Sequence, residues 1–367
     1  MINLKKITRP SLILDEEKCR NNIRMMSQKA HSSKVLFRPH FKTHQSHEIG
    51  QWFREEGVNS ITVSSLTMAK HFADNGWEDI TVAFPANRRE YAEIRELTNR
   101  IRLNILISSP EHLSVIKEIT ELDAGCFFKV NTGLNRSGTD WDDRNRFLRM
   151  IVETGKSGNL RILGFLTHSG HTYKAKSKTE ILQIYSDTLF KMKSLRSLIP
   201  ESEVILSVGD TPSCSIVNDF TGVDEIRPGN FVFYDLTQHR LGSCDSNQVA
   251  VAVACPVVDK NPDKQEIIIY GGGVHLSKDR LLLADGRTVF GQAVYLTETG
   301  WVYPDDEVWL KSISQEHGII SASNDFFNNI KTGDLVGIIP VHSCMTADLL
   351  RVYNTTEGRI IDDFSPK

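Results

Sequence analysis

Two short segments carry residue types capable of covalent and Lewis-acid chemistry. In Phe37-Arg38-Pro39-His40-Phe41-Lys42-Thr43-His44, one lysine follows the apolar run Val35-Leu36-Phe37, which reads as a strand. A lysine where a strand gives way to a loop is placed to form a Schiff base with an aldehyde cofactor such as pyridoxal phosphate, and later to serve as a proton-transfer base. A surface lysine in a basic loop is the competing reading. In Pro340-Val341-His342-Ser343-Cys344, an imidazole and a thiol stand two residues apart. On an extended segment both point the same way, and the pair suits Zn²⁺. Two protein ligands leave positions for water and substrate, the pattern of a catalytic site, whereas a plain strand with a buried cysteine is the bland alternative. Ser314-Gln315-Glu316-His317-Gly318 is a second polar cluster, either lining the same site or forming a surface turn.

The elements that must position these residues are legible from hydrophobic periodicity. Up to about residue 235, eight strand-like runs recur: Val35–Arg38, Ser60–Ser64, Ile80–Phe84, Leu103–Ile107, Cys126–Asn131, Ile162–Thr167, Val204–Val208 and Val223–Arg227. Amphipathic stretches at helical spacing separate them: Glu48–Glu56, Leu66–Asn75, Arg88–Asn99, Glu111–Glu121, Asp142–Glu153, Thr179–Leu198 and a short one near Pro212–Asn218. Eight strand–helix units argue for a (β/α)₈ barrel, with an open doubly wound sheet as runner-up. No G-x-G-x-x-G follows the first strand, which counts against a dinucleotide fold. After about residue 240, Val249–Val258, Glu266–Tyr270, Thr288–Leu296, Glu307–Ser312 and Leu335–Pro340 are rich in β-branched residues, so residues 239–367 read as a β-rich C-terminal domain. Pro10–Leu14 is strand-like and is expected to join it, giving residues 1–15 to that domain and 16–238 to the barrel.

A chain of 367 residues with 40% hydrophobic and 24% charged residues has the composition of a globular protein. A net charge of −3 gives no pull toward nucleic acid or anionic membrane. Neither a membrane span nor a signal peptide is legible. The six cysteines are scattered without a C-x-x-C pair and read as reduced thiols of a cytoplasmic protein.

Barrels of this kind place function at the C-terminal ends of their strands. After the fifth strand, Asn131–Gly138 offers two glycines and Arg136, whose guanidinium suits an anionic oxygen. After the sixth come His168 and Tyr173 in a polar, glycine-containing loop. After the seventh, Gly209 and Thr211 lead into a short helix, and after the eighth come Arg227, Gly229 and Asn230. The last two loops are the usual phosphate-binding place. A phosphate held there and a lysine at strand one would grip a phosphorylated aldehyde at both ends.

Taken together, these blocks resemble the fold-type III pyridoxal phosphate enzymes, more narrowly the D-serine dehydratase and D-threonine aldolase family related to alanine racemase. Thr8–Asp15, Arg38–His44, Asn131–Gly138, His168–Tyr173, Gly209–Pro212, Arg227–Gly229, Gln315–Gly318 and His342–Cys344 match its blocks in order. The resemblance implies that Lys42 holds the cofactor and that Gly209, Thr211, Gly229 and Asn230 surround its phosphate. It implies that Arg136 lies near the phenolic oxygen or the substrate carboxylate, and that His168 belongs to the cofactor pocket. Arg227 or Tyr173 approaches the pyridine edge, and His342 and Cys344 bind the metal: Zn²⁺, with Mn²⁺ or another divalent ion as alternatives. Family aldolases tend to carry Asp in place of this Cys, which favours a dehydratase. Two departures stand out, Gln45 where a basic residue is usual and Thr67-Met68 where Glu-Ala is common; both read as lying outside the chemistry.

The expected reaction is β-elimination from a D-3-hydroxy amino acid, giving a 2-oxo acid and ammonia. Retro-aldol cleavage, racemisation and a non-catalytic pyridoxal phosphate carrier are the alternatives, in that order. Relatives of this kind imply a homodimer and a small D-amino acid as substrate, with neither nucleic acid nor membrane as partner.

Overall fold

A computed structural model describes residues 1–156, 159–199 and 204–362. All eight expected barrel strands form. They are parallel and run in the order Leu36–Phe37, Glu225–Ile226, Ile205–Val208, Arg161–Leu166, Gly125–Asn131, Arg102–Ile107, Asp79–Pro85, Ile61–Val63. The two ends of the sheet meet at a parallel bridge between His40 and Thr62, so the sheet curls back on itself. Phe41 N–H donates to the Thr62 carbonyl and Thr62 N–H to that of Pro39, both at 2.9 Å. The lysine loop is therefore part of the seam.

The helices begin where short polar side chains can accept orphan N–H groups. Asp15 caps Glu16–Ser32, Ser65 caps Leu66–Asp74 and Ser177 caps Lys178–Leu195. Two expected helices break in two. Arg88–Glu90 is a 3-10 turn ahead of Tyr91–Thr98, and Pro110–Val115 gives way to a 3-10 turn at Lys117–Glu121.

The barrel interior is unusually polar. Branched apolar residues normally fill such a core. Here Arg38 donates to Glu225 and to Asp79, each at 2.6 Å, and Asn104 reaches Asp79 and Thr81 at 3.0 and 3.2 Å. Glu225 is fully buried and also accepts from Ser207.

The second sheet has ten strands and is built mainly from residues after 250. Val251–Asn261 pairs with both Leu335–Pro340 and Glu266–Tyr270, which closes six antiparallel strands into a ring. Ser11–Leu14 lies between Val251–Asn261 and Val352–Thr355, as expected of the N-terminal strand. His317–Ser321, Val352–Thr355 and Ile360–Asp362 are strands that periodicity missed, being short and half polar. No helix among the described residues is long and apolar enough to cross a membrane.

Candidate active site

Lys42 sits in a four-residue turn between two anchors that point into the core. Phe41 is fully buried among Phe53, Phe72 and Trp77, with ring centroids 4.9–5.1 Å away. His44 is fully buried too, stacked on Phe53 at 5.5 Å, and burial pushes its imidazole down to about 3. It is a core histidine rather than a second site group. Between these anchors Lys42 is exposed and lines a cavity of about 450 Å³.

Charge accumulates around the lysine. Burial drives the His40 imidazole well below its ordinary range, and the positive charges of Lys42, Arg227, His168 and Arg136 lower it further. His168 is lowered in the same way, by burial and then by Lys42, Lys129 and Arg136. Its Nδ1 lies 2.6 Å from the Gly209 carbonyl oxygen. Lys129, on the barrel strand beneath, is pushed down to about 7 by burial and by Arg227 and Arg136. This residue escaped sequence reading, although a lysine inside the apolar run Phe127-Phe128-Lys129-Val130 was a signal. Burial is the first cause at all three groups, and the nearby positive charges add to it, which keeps the two imidazoles neutral.

The expected loops converge here, each for a visible reason. Asn131 shapes its loop by accepting from the N–H groups of Gly133 and Asn135 at 3.2 and 3.0 Å. Gly138 is needed at φ +105, where a Cβ would stand 2.7 Å from the Lys129 carbonyl. Arg227 is buried and donates to Ser207 at 2.6 Å and to the Thr167 carbonyl; burial brings it down to about 10. Tyr173 is raised by burial and by the charges of Asp210 and Cys344. Asp210 caps the short helix Thr211–Ile216 through the Ser213 N–H at 2.8 Å, and burial raises it to about 6.

Gly209 and Gly229 allow close packing of the loops. A Cβ on Gly209 would meet the Arg227 backbone at 2.9 Å, and one on Gly229 the His40 carbonyl at the same distance. They let neighbouring strand ends and the lysine loop close together. The Ser213 side chain hydrogen-bonds to the Asp210 carboxylate, and the buried Asn230 Oδ1 has no hydrogen-bond partner among the described residues. Asn230 turns its amide nitrogen the other way, toward Asp235 at 2.6 Å, Ser343 at 2.9 Å and Cys344 at 3.4 Å.

His342 and Cys344 do not lie on an extended segment as the sequence suggested. Strand Leu335–Pro340 ends, His342 takes the N-cap position, and Cys344 falls in the first turn of helix Ser343–Leu350. They converge nonetheless, through a hydrogen bond between their side chains. Burial alone would depress the imidazole, but Asp279 and Cys344 raise it to about 11. Burial alone would raise the Cys344 thiol, but the His342 hydrogen bond and charge, and then the Lys42 charge, lower it. His342 Nδ1 is 2.7 Å from Asp279 Oδ2, an orientation that leaves Nε2 for another partner. Thr43 Oγ1 is 3.2 Å from Cys344 Sγ. The lysine loop and the His–Cys pair thus meet within one chain.

The segment Ser314–Gly318 does not line the Lys42 cavity. Ser314 N–H donates to the His317 carbonyl at 2.8 Å, making a turn between strands Trp309–Ile313 and His317–Ser321. Gln45, Thr67 and Met68, by contrast, line the Lys42 cavity, so the two departures from the family pattern touch the site after all.

A lysine after the first strand of a β/α barrel, basic side chains gathered near it and a second β-rich sheet are the features of a fold-type III pyridoxal phosphate enzyme. The comparisons agree. The family model "Alanine racemase, N-terminal domain" matches residues 14–236, and "Putative serine dehydratase domain" matches residues 250–356. The chain belongs to this alanine racemase-like family. It is 30% identical to a D-serine dehydratase of Dictyostelium discoideum, covering 99% of this chain and 98% of that one. It is 29% identical to a D-threo-3-hydroxyaspartate dehydratase of Delftia sp. (strain HT23), covering 94% and 93%. The solved structure of the Delftia sp. HT23 enzyme superposes with a TM-score of 0.91, at 25% identity and full coverage of both chains.

Proposed function

We propose that this protein is a pyridoxal phosphate- and zinc-dependent lyase that eliminates the β-hydroxyl of a D-3-hydroxy amino acid, yielding a 2-oxo acid and ammonia. The observation that carries this reading is the meeting of Lys42 with His342 and Cys344 in one cavity of one chain. The two dehydratase relatives support it. We take residues 16–238 as the cofactor-binding unit and 239–367 with 1–15 as the unit carrying the metal pair, in a cytoplasmic homodimer.

The residues present fit both groups. The basic side chains gathered near Lys42, those of Arg136, Lys129 and Arg227, suit an anionic cofactor. Lys42 would hold its aldehyde, with Arg136, His168, Tyr173, Gly209, Thr211, Arg227, Gly229 and Asn230 around it. Pyridoxal phosphate, when bound, supplies an electron sink that acidifies the substrate's Cα proton. The Lys42 Nζ is then the base that takes this proton. His342 and Cys344 would hold a zinc ion as imidazole and thiolate, with positions left for substrate oxygen. Such an ion supplies stabilisation of the charge on the departing hydroxyl. Asp279 keeps the His342 ring in place.

The test is product analysis with D-serine, D-threonine and D-threo-3-hydroxyaspartate, after chelation and again after zinc is restored. Zinc-dependent 2-oxo acid supports the reading. Aldehyde plus glycine, inverted amino acid, or no product from cofactor-loaded protein overturns it.

A further inference from the structure

Helix Ser343–Leu350 does more than carry Cys344. Asp348 lies one turn on from Cys344 on the same face, and Arg351 caps the C-terminal end of the helix. All three line the Lys42 cavity. From Cys344 to Arg351 is about 10 Å along the axis.

Arg351 is oriented but not used up. Its Nε donates to the Asp348 carbonyl at 2.9 Å, while its Nη2 stays 4.0 Å from the Asp348 carboxylate. That carboxylate is engaged from the opposite wall by Gln45 Nε2, at 2.9 Å. Among the described residues no acid forms a two-point pair with this guanidinium. Gln45 and Arg351 both hold left-handed backbone, at φ 50 and φ 61, which is uncommon for residues with a Cβ and must be imposed by their surroundings. The side-chain cations lining the cavity are Lys42 and Arg351, and its carboxylate is that of Asp348.

We propose that Arg351 is the specificity-determining residue of this cavity, and that it takes the β-carboxylate of a D-3-hydroxy dicarboxylic amino acid of the 3-hydroxyaspartate class. The proposal rests on the function proposed above. A substrate with its amine at Lys42 and its β-hydroxyl toward His342 and Cys344 directs its remaining β-substituent along this helix face. A carboxylate there meets a guanidinium fork suited to two-point recognition. The hydrogen atoms of D-serine at that position meet nothing.

The experiment compares the holoenzyme with Arg351→Gln and Arg351→Lys, using kcat/KM for D-threo-3-hydroxyaspartate and for D-serine. With Gln, the first value should fall by on the order of 100-fold, the scale of a hydrogen-bonded charge pair, and the second by less than about 3-fold. Lys should restore part of the loss. Equal losses on both substrates would make Arg351 a ligand of the α-carboxylate or a structural residue and would overturn the proposal, as would no loss on either. Calorimetric binding of D-aspartate and D-alanine, which carry no hydroxyl to eliminate, separates the two levels. D-aspartate should bind the parent at least about 10-fold more tightly than D-alanine and lose that margin in Arg351→Gln. A margin that vanishes in the variant while no substrate is eliminated leaves the Arg351 assignment standing and the lyase reading refuted. A margin that persists in the variant overturns the assignment.

Discussion

The hydroxyl of Thr43 lies 3.2 Å from the sulfur of Cys344, joining residues 301 positions apart in the chain. One neighbours the lysine, the other is half of the proposed metal pair. Cys344→Ala should therefore abolish stoichiometric zinc, measured by elemental analysis, and reduce turnover at least about 100-fold, with the Lys42 absorbance band of the bound cofactor retained. Thr43→Val should weaken zinc by a smaller factor, and Asp279→Asn by about 10- to 100-fold, since both act on a ligand rather than on the metal.

Gly229→Ala places a Cβ 2.9 Å from the His40 carbonyl and 3.0 Å from its Cβ. The seam that carries Lys42 must then part. We expect a loss of about 1–3 kcal/mol in stability by urea titration, together with weaker cofactor retention on dialysis. Unchanged cofactor affinity would mean that the loop tolerates the displacement.

Arg38 and Glu225 form a buried ion pair inside the barrel, at 4% and 0% exposure. Removing one partner strands the other away from water. Glu225→Leu or Arg38→Met should each cost about 3–5 kcal/mol, and the double variant Arg38→Met/Glu225→Leu should cost less than the sum. Denaturation midpoints of the three proteins decide it.

Asp210 gives a pH dependence with a definite sign. Burial raises its carboxyl from an ordinary 3.8 to about 6, so between those values the folded chain holds a proton that the unfolded chain has released. Its contribution is unpenalised below the lower value, and stability falls as pH rises through the window to about 6. Asp210→Asn keeps an oxygen to accept from Ser213 and Thr172 but carries no charge. Relative to the parent, the cofactor-free variant should gain on the order of 1–3 kcal/mol at pH 7 and nothing at pH 3.5.

The barrel was legible because its parallel strands are nearly continuous apolar runs between amphipathic helices, and strand–helix alternation admits few topologies. Lys42, Arg136, His168 and Arg227 were found because each follows such a strand. Asp279, Asp348 and Arg351 were not, for they occupy no motif. They matter only because one helix turns its Cys344 face to the lysine loop, a relation set by tertiary packing. Gln45 and Thr67 were noticed as departures and misjudged as remote for the same reason. His342 and Cys344 were paired on the strength of strand geometry, yet it is an N-cap and a first helical turn that bring them together.

Strand Ser11–Leu14 has a consequence for biosynthesis. It leaves the ribosome long before its partners, Val251–Asn261 and Val352–Thr355. Its edges stay unpaired while the whole barrel is translated, and the second sheet cannot knit until Val352–Thr355 is made. Such distant pairing is slow and leaves a sticky edge exposed meanwhile. Nascent chains stalled before residue 352 should therefore hold a finished barrel and an open, aggregation-prone second sheet.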